Sequence, residues 1–334
     1  MKKIAIIGGG SWGTALAIAL GRSSRPHRLA IWAHSPDIVD LLRSKRVNEV
    51  YLPGFQLPDG VEVTGTLGEA LGGAEIVLGV MPSAHARELY RAMRPHLETG
   101  AVFVSATKGL EPATHARISE VIAAEMPAGS PPRISVLSGP SFALEVARGD
   151  PTAVVLSSAD PSLASEVQEE FSGPLFRLYT NDDVVGTEIA GAVKNVIAIA
   201  AGVSTGLGLG ANTMAALVTR GLAEMTRLAV ALGGRRETLA GLAGLGDLIL
   251  TATGALSRNR SVGIELGKGR ELGEILSATR MVAEGVGSAA AALELAQRAG
   301  VEMPITEQVH AVLRAGRASR DAIRELMERR LRQE

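Results

Sequence analysis

Lys194 is the residue whose neighbours best suit proton chemistry. It lies in TEIAGAVKNVIAIAAG, and on a helix the residues three and four away are Ala190, Gly191, Ile197 and Ala198. An ammonium rooted in so apolar a face loses hydration, and its pKa falls towards neutrality, where an amine both gives and takes protons. The pattern leaves a second fate open: a lysine snorkelling from a helix edge, or paired with Glu188 or another acid. The adjacent Asn195 can bond a ligand or tie packed helices. The chain has six lysines, at 2, 3, 45, 108, 194 and 268, and arginine fills the other basic positions. Where lysine persists inside a motif-like segment, as at Lys108 and Lys194, a compact amine able to lose its proton is the functional reading.

Two further stretches hold chemistry. GLAGLGDLILT, residues 241–251, sets the single acid Asp247 in an apolar, glycine-rich run. A carboxylate there needs donors, from backbone N–H groups as a cap or turn, or from a ligand or lysine. Ser257-Arg258-Asn259-Arg260 then combines a capping serine, a guanidinium fork and the N–H groups of a helix start, a set that suits a phosphate; the alternative is a solvated basic turn. Arg258 and Arg260 are two apart and cannot share a helix face, so only one of them can serve the phosphate.

The elements that must position these residues begin at Ile4. Ile4 to Ile7 form a buried strand, Gly8, Gly10 and Gly13 keep the G-x-G-x-x-G spacing, and Thr14 to Leu20 read as a helix. That order is a dinucleotide-binding turn, with glycines for the turn, for approach of a pyrophosphate and for helix packing. Arg28 to Trp32 read as the next strand. No carboxylate stands at its end to hold a ribose 2′-hydroxyl, though Asp37 is close, whereas His34 and Ser35 tolerate a 2′-phosphate, so NADPH or dual use is favoured over strict NADH. Tyr51 to Gly54 read as loop. Strands are predicted at 61–64, 75–80, 101–105, 135–138, 153–156 and 176–179, with helical patterns between several of them. Their alternation implies an α/β, doubly wound, mainly parallel Rossmann-like sheet. Ligands bind beyond the carboxyl ends of such strands, where Pro82, Lys108 and Gly139 fall. From Gly186 onward only helical periodicity is found, at 188–201, 213–232, 261–266, 283–299, 305–314 and 318–332. The expected domains are a dinucleotide-binding unit at 1–185 and an all-helical substrate-binding and catalytic unit at 186–334.

Composition narrows the field. Residues Lys plus Arg number 34 and Asp plus Glu 35, a net charge of −1 that offers no global attraction for nucleic acid or a membrane surface. The absence of cysteine removes disulfides, thiol nucleophiles and thiolate metal sites. The six histidines lack metal-ligand spacing, so no metal is predicted. Glycines interrupt the apolar N-terminus, and no span of the bilayer is expected, which together predict a cytoplasmic protein.

Read together, GGGSWGTA, ATKGLEP, LSGPSFALEV, GAVKNVIAIAAG, GANTMAALVTRGLAEM, GLAGLGDLILT, SRNR and VAEGV closely resemble the bacterial NAD(P)-dependent glycerol-3-phosphate dehydrogenases. The segments follow that family's order over nearly the whole chain. The resemblance implies reversible hydride transfer between NADPH or NADH and dihydroxyacetone phosphate, giving sn-glycerol 3-phosphate for phospholipid synthesis, with Lys194 as acid and base. It implies cofactor contacts at Gly8, Gly10, Ser11, Trp12, Gly13, His34, Lys108, Ala143, Arg258, Val282 and Glu284. It implies substrate contacts at Lys108, Gly139, Ser141, Lys194, Asp247, Ser257, Arg258 and Asn259, and makes a homodimer the candidate assembly. Departures from the family pattern are a longer Gly21–Arg28 run, Gly287-Ser288-Ala289 in place of a segment often carrying arginine or asparagine with threonine, and Ala252 where relatives often have cysteine.

Two other readings compete. A two-domain dehydrogenase of the hydroxyisobutyrate or phosphogluconate type would need a carboxylate site where SRNR stands. A non-catalytic NADPH-binding sensor would need neither Lys194 nor Asp247.

Overall fold

The computed structural model describes residues 1–126, 131–279 and 282–330. Ten strands occur among them: β1 (Lys3–Ile7), β2 (Arg28–Trp32), β3 (Val47–Asn48), β4 (Leu52–Gln56), β5 (Val61–Thr64), β6 (Ile76–Gly79), β7 (Val102–Ser105), β8 (Arg133–Ser138), β9 (Thr152–Ser157) and β10 (Phe176–Asn181). Eight form one sheet in the order β10-β9-β8-β7-β6-β1-β2-β5. Every neighbouring pair is parallel except β8 with β9. Apolar residues alternate between the two covered faces. Ile4 and Ile6 enter one core with Leu16, Ile31 and Leu78, while Ala5 and Ile7 enter the other with Val77, Tyr90 and Phe103.

The stretch read as loop at Tyr51 to Gly54 is in part a strand. Leu52–Gln56 pairs antiparallel with Val47–Asn48 in a separate two-stranded ribbon. Pro53 donates no ladder hydrogen bond and Gly54 has φ +84°, which hid the strand in the sequence; a ribbon with two free edges tolerates both. The helix expected at 318–332 is Ser319–Met327, and residues 331–334 lie outside the described ones. Asp247 opens a helix, Asp247–Thr253, that the glycine-rich pattern concealed behind a single π turn at Leu242–Gly246.

After β10 the only regular elements among the described residues are helices. The central helix, Val184–Gly206, starts three residues past the end of β10, where Asp183 caps it by accepting the Gly186 N–H at 2.7 Å. It is long and apolar enough to cross a membrane by length and composition, but 83% of that apolar window is buried in protein, as befits a core helix. The helix Arg258–Gly267 lies against it backbone to backbone. A Cβ at Gly202 would stand 2.0 Å from the Arg260 carbonyl oxygen, and one at Gly263 would stand 2.0 Å from that of Ile199. Only glycine on both surfaces permits this approach, which brings the SRNR segment alongside Asn195.

Candidate active site

Strands β2, β1, β6, β7 and β8 run parallel, so their carboxyl ends share one edge of the sheet, and the predicted residues of the N-terminal half gather there. The glycine turn has the geometry its spacing implies. Gly8 has φ +139°, and a Cβ on it would lie 2.4 Å from the Val80 carbonyl oxygen; one on Gly13 would lie 1.8 Å from that of Gly8. Gly10 meets nothing within 4 Å, leaving backbone open to approach at the start of the helix Ser11–Gly21. Beside it the indole Nε1 of Trp12 is buried without a hydrogen-bond partner. An open glycine, helix N–H groups and an unspent donor fit a dinucleotide phosphate. His34 is exposed past the end of β2, its ring 5.9 Å from that of Trp32, so it faces whatever lies beyond this strand end. Ala143 opens the helix Ala143–Arg148, and Val282 is exposed.

Lys194 is 4% exposed. Its ammonium pairs with Asp247 Oδ1 and donates to Thr251 Oγ1 at 3.0 Å. Burial drives its pKa down to about 7, against the pull of Asp247 and with the help of the nearby Lys108 charge. The Glu188 pairing left open by the sequence is not made: that carboxylate accepts from Arg117 Nη1 at 2.9 Å and from the Ser119 N–H at 2.8 Å. Asp247, 1% exposed, lies between two amines. Burial works to raise its pKa, and the charges of Lys108 and Lys194 outweigh that and hold it below the ordinary carboxylate value.

Lys108 crosses from the sheet side. It donates to Asp247 Oδ2 at 2.9 Å, to the Gly139 carbonyl oxygen at 2.8 Å and to Ser141 Oγ at 3.4 Å. One network therefore unites Lys108, Gly139, Ser141, Lys194 and Asp247 at the junction of the two halves. Ser257 caps Arg258–Gly267 by accepting the Arg260 N–H at 3.2 Å. The Arg258 side chain is solvent-accessible at the first helical position, although surrounding protein lowers its pKa and Glu284 opposes that. Arg260 turns away, towards Thr205 Oγ1 at 3.4 Å. Asn259 is engaged within the protein: its Nδ2 donates to Asn195 Oδ1, and its Oδ1 accepts the Gly285 N–H, both at 2.9 Å. Glu284 accepts from the N–H and the hydroxyl of Ser83. In the helix Glu284–Arg298, Gly287 is exposed while Ser288 and Ala289 are buried, so this departure from the family pattern straddles the edge of the helical core.

Three contributors escaped the sequence reading. Thr251 sits one helical turn after Asp247, a spacing that could have flagged it. Asn48 is fully buried and donates to the Gly9 carbonyl oxygen at 2.9 Å and Thr14 Oγ1 at 2.8 Å, bracing the glycine turn from β3 with no local signal. Ser83 follows the strand-end Pro82 and bonds Glu284 across the junction.

Comparisons with known proteins identify the family. Residues 3–164 and 183–324 match the N-terminal and C-terminal models of the NAD-dependent glycerol-3-phosphate dehydrogenase family. Proteins named glycerol-3-phosphate dehydrogenase (NAD(P)+) from Koribacter versatilis and Geobacter sulfurreducens are 58% and 51% identical; the alignments cover 98% and 100% of this chain and 98% and 99% of those relatives. A crystal structure of glycerol-3-phosphate dehydrogenase from Coxiella burnetii superposes with a TM-score of 0.92 at 41% identity, covering 98% of this chain and 99% of that one. The chain belongs to the NAD(P)-dependent glycerol-3-phosphate dehydrogenase family.

Proposed function

We propose that the protein interconverts dihydroxyacetone phosphate and sn-glycerol 3-phosphate with NADPH or NADH, and that Lys194 is the proton donor and acceptor at the carbinol oxygen. The observation that carries the reading is an almost fully buried amine, bonded to Asp247 and Thr251, with a pKa near 7 at the junction of the two halves. When bound, the nicotinamide supplies hydride to the ketone carbon or takes it from the alcohol. In the reducing direction charged Lys194 gives its proton to the oxygen that becomes the hydroxyl; in the oxidising direction the neutral amine takes it back. Asp247 holds the amine in line and stabilises its charged form. Arg258 and the N–H groups at the start of its helix suit the phosphomonoester, and Lys108 with Ser141 lines the sheet side of the site.

The domains of this proposal are 1–185 for the cofactor and 186–334 for the substrate and the amine. Ser11, Trp12 and His34 flank the cofactor, with NADPH favoured because no carboxylate follows β2 at 33–36. The product's use in phospholipid synthesis, a cytoplasmic location and a homodimeric assembly complete the reading. A side-by-side assay of NADPH and NADH oxidation with dihydroxyacetone phosphate tests it; no ketone-dependent oxidation of either cofactor would end it.

A further inference from the structure

Ser83 and Glu284 tie the two halves of the molecule together away from the Lys108–Asp247 pair. Ser83, 3% exposed just past β6, donates its N–H to Glu284 Oε1 at 3.2 Å and its hydroxyl to Oε2 at 2.7 Å. Gly109, next to Lys108, lies flat on this clasp: a Cβ there would stand 2.7 Å from Ser83 Oγ and 3.0 Å from Glu284 Oε2. From Glu284 the contacts continue inward. The next residue, Gly285, donates its N–H to Asn259 Oδ1, and Asn259 Nδ2 donates to Asn195 Oδ1. Asn195 directly follows Lys194. A run of hydrogen bonds thus leads from the end of a central sheet strand to the helix that carries the amine.

We propose that Ser83 is a positioning residue: its two-point bond to Glu284 fixes how the cofactor-binding half sits relative to Lys194. The inference rests on the dehydrogenase reading above. The Lys108–Asp247 pair and the bonds from Arg117 and Ser119 to Glu188 hold the sheet half to the helix Asp247–Thr253 and to the start of the central helix; the Ser83–Glu284 clasp adds a tie to a third helix, Glu284–Arg298, and so restricts rotation about the other two. Hydride and proton must reach adjacent atoms of one carbonyl, and reacting atoms must come within about 3–3.5 Å, so a displacement of about 1 Å is costly.

The test uses full-length Ser83→Ala and Gly109→Ala. The first removes the hydroxyl tie; the second pushes the clasp apart while leaving all its bonding atoms in place. Single-turnover oxidation of bound NADPH by dihydroxyacetone phosphate is followed alongside thermal melting. Both variants are expected to lower the single-turnover rate constant roughly tenfold, with an unchanged amplitude and with KM for the ketone altered less than the rate. Wild-type rate constants in Ser83→Ala overturn the proposal. So does a reduced amplitude at an unchanged rate constant, because that outcome means lost folded protein and nothing more. If the wild-type protein shows no ketone-dependent oxidation, the dehydrogenase reading falls and takes the positioning role with it.

Discussion

Lys194 and Glu224 both lie in the helical half, are 4% and 1% exposed, and have pKa values moved to about 7. Burial pushes the Glu224 carboxyl up, while the N–H groups of Ile305 and Thr306 and the Thr306 hydroxyl pull it back, at 2.6, 3.2 and 3.1 Å. Those donors begin the helix Pro304–Ala315, so Glu224 caps that helix from a neighbouring one, and protein groups occupy its acceptor sites. Lys194 has a carboxylate that it shares with a second amine, and that amine arrives from the other half of the chain. A shifted pKa therefore does not by itself mark chemistry. Unlike charges brought together from separate elements beside the carboxyl ends of the sheet strands are the stronger pointer.

Four variants or conditions test whether the two groups differ in this way. The largest expected effect is on Lys194→Ala, which should lower kcat by about 10³-fold while retaining cofactor affinity and a wild-type melting curve; steady-state kinetics and calorimetry check it, and turnover near the wild-type rate would leave Lys194 a structural residue. Glu224→Ala should do the opposite. Leaving buried helix N–H groups without an acceptor should cost about 2–4 kcal/mol of stability in denaturant titrations, with activity per folded molecule preserved. A stable but inactive Glu224→Ala protein would erase the distinction.

Arg258→Ala comes next, because an accessible guanidinium at a helix start contributes to holding the substrate more than to the proton step. KM for dihydroxyacetone phosphate should rise roughly 10–100-fold, and KM for NADPH far less. Equal rises would move the phosphate elsewhere. The smallest effect is on pH dependence, and its sign follows from a lysine pKa lowered to about 7. Ketone reduction needs the charged amine, so kcat/KM in that direction should fall as pH rises through about 7; alcohol oxidation needs the neutral amine and should rise over the same range. Limbs of the same sign in both directions would assign the titration to another group.

What the sequence disclosed follows from how far each signal reaches along the chain. The glycine turn and the buried strands are local patterns, so β1, β2, β5 and β6 through β10 were legible with boundaries near those observed. Lys194 was legible as a desolvated amine because its helical neighbours are adjacent in sequence. Its choice of Asp247 over Glu188 was not, since it depends on the helix after the π turn packing back onto the central one. The same distance hid Asn48 under the glycine turn and the Ser83–Glu284 clasp, whose partners are 201 residues apart. Asn259 shows the reverse case: a motif residue expected to face the substrate has both ends of its amide engaged between helices.

The small number of lysines makes the central claim directly measurable. In protein labelled with 15N at the lysine side chains, the resonance that disappears in Lys194→Ala is expected to titrate near pH 7. If that signal titrates instead at the ordinary lysine value of 10.5, the amine is an ordinary ion-paired lysine and the acid–base account is wrong.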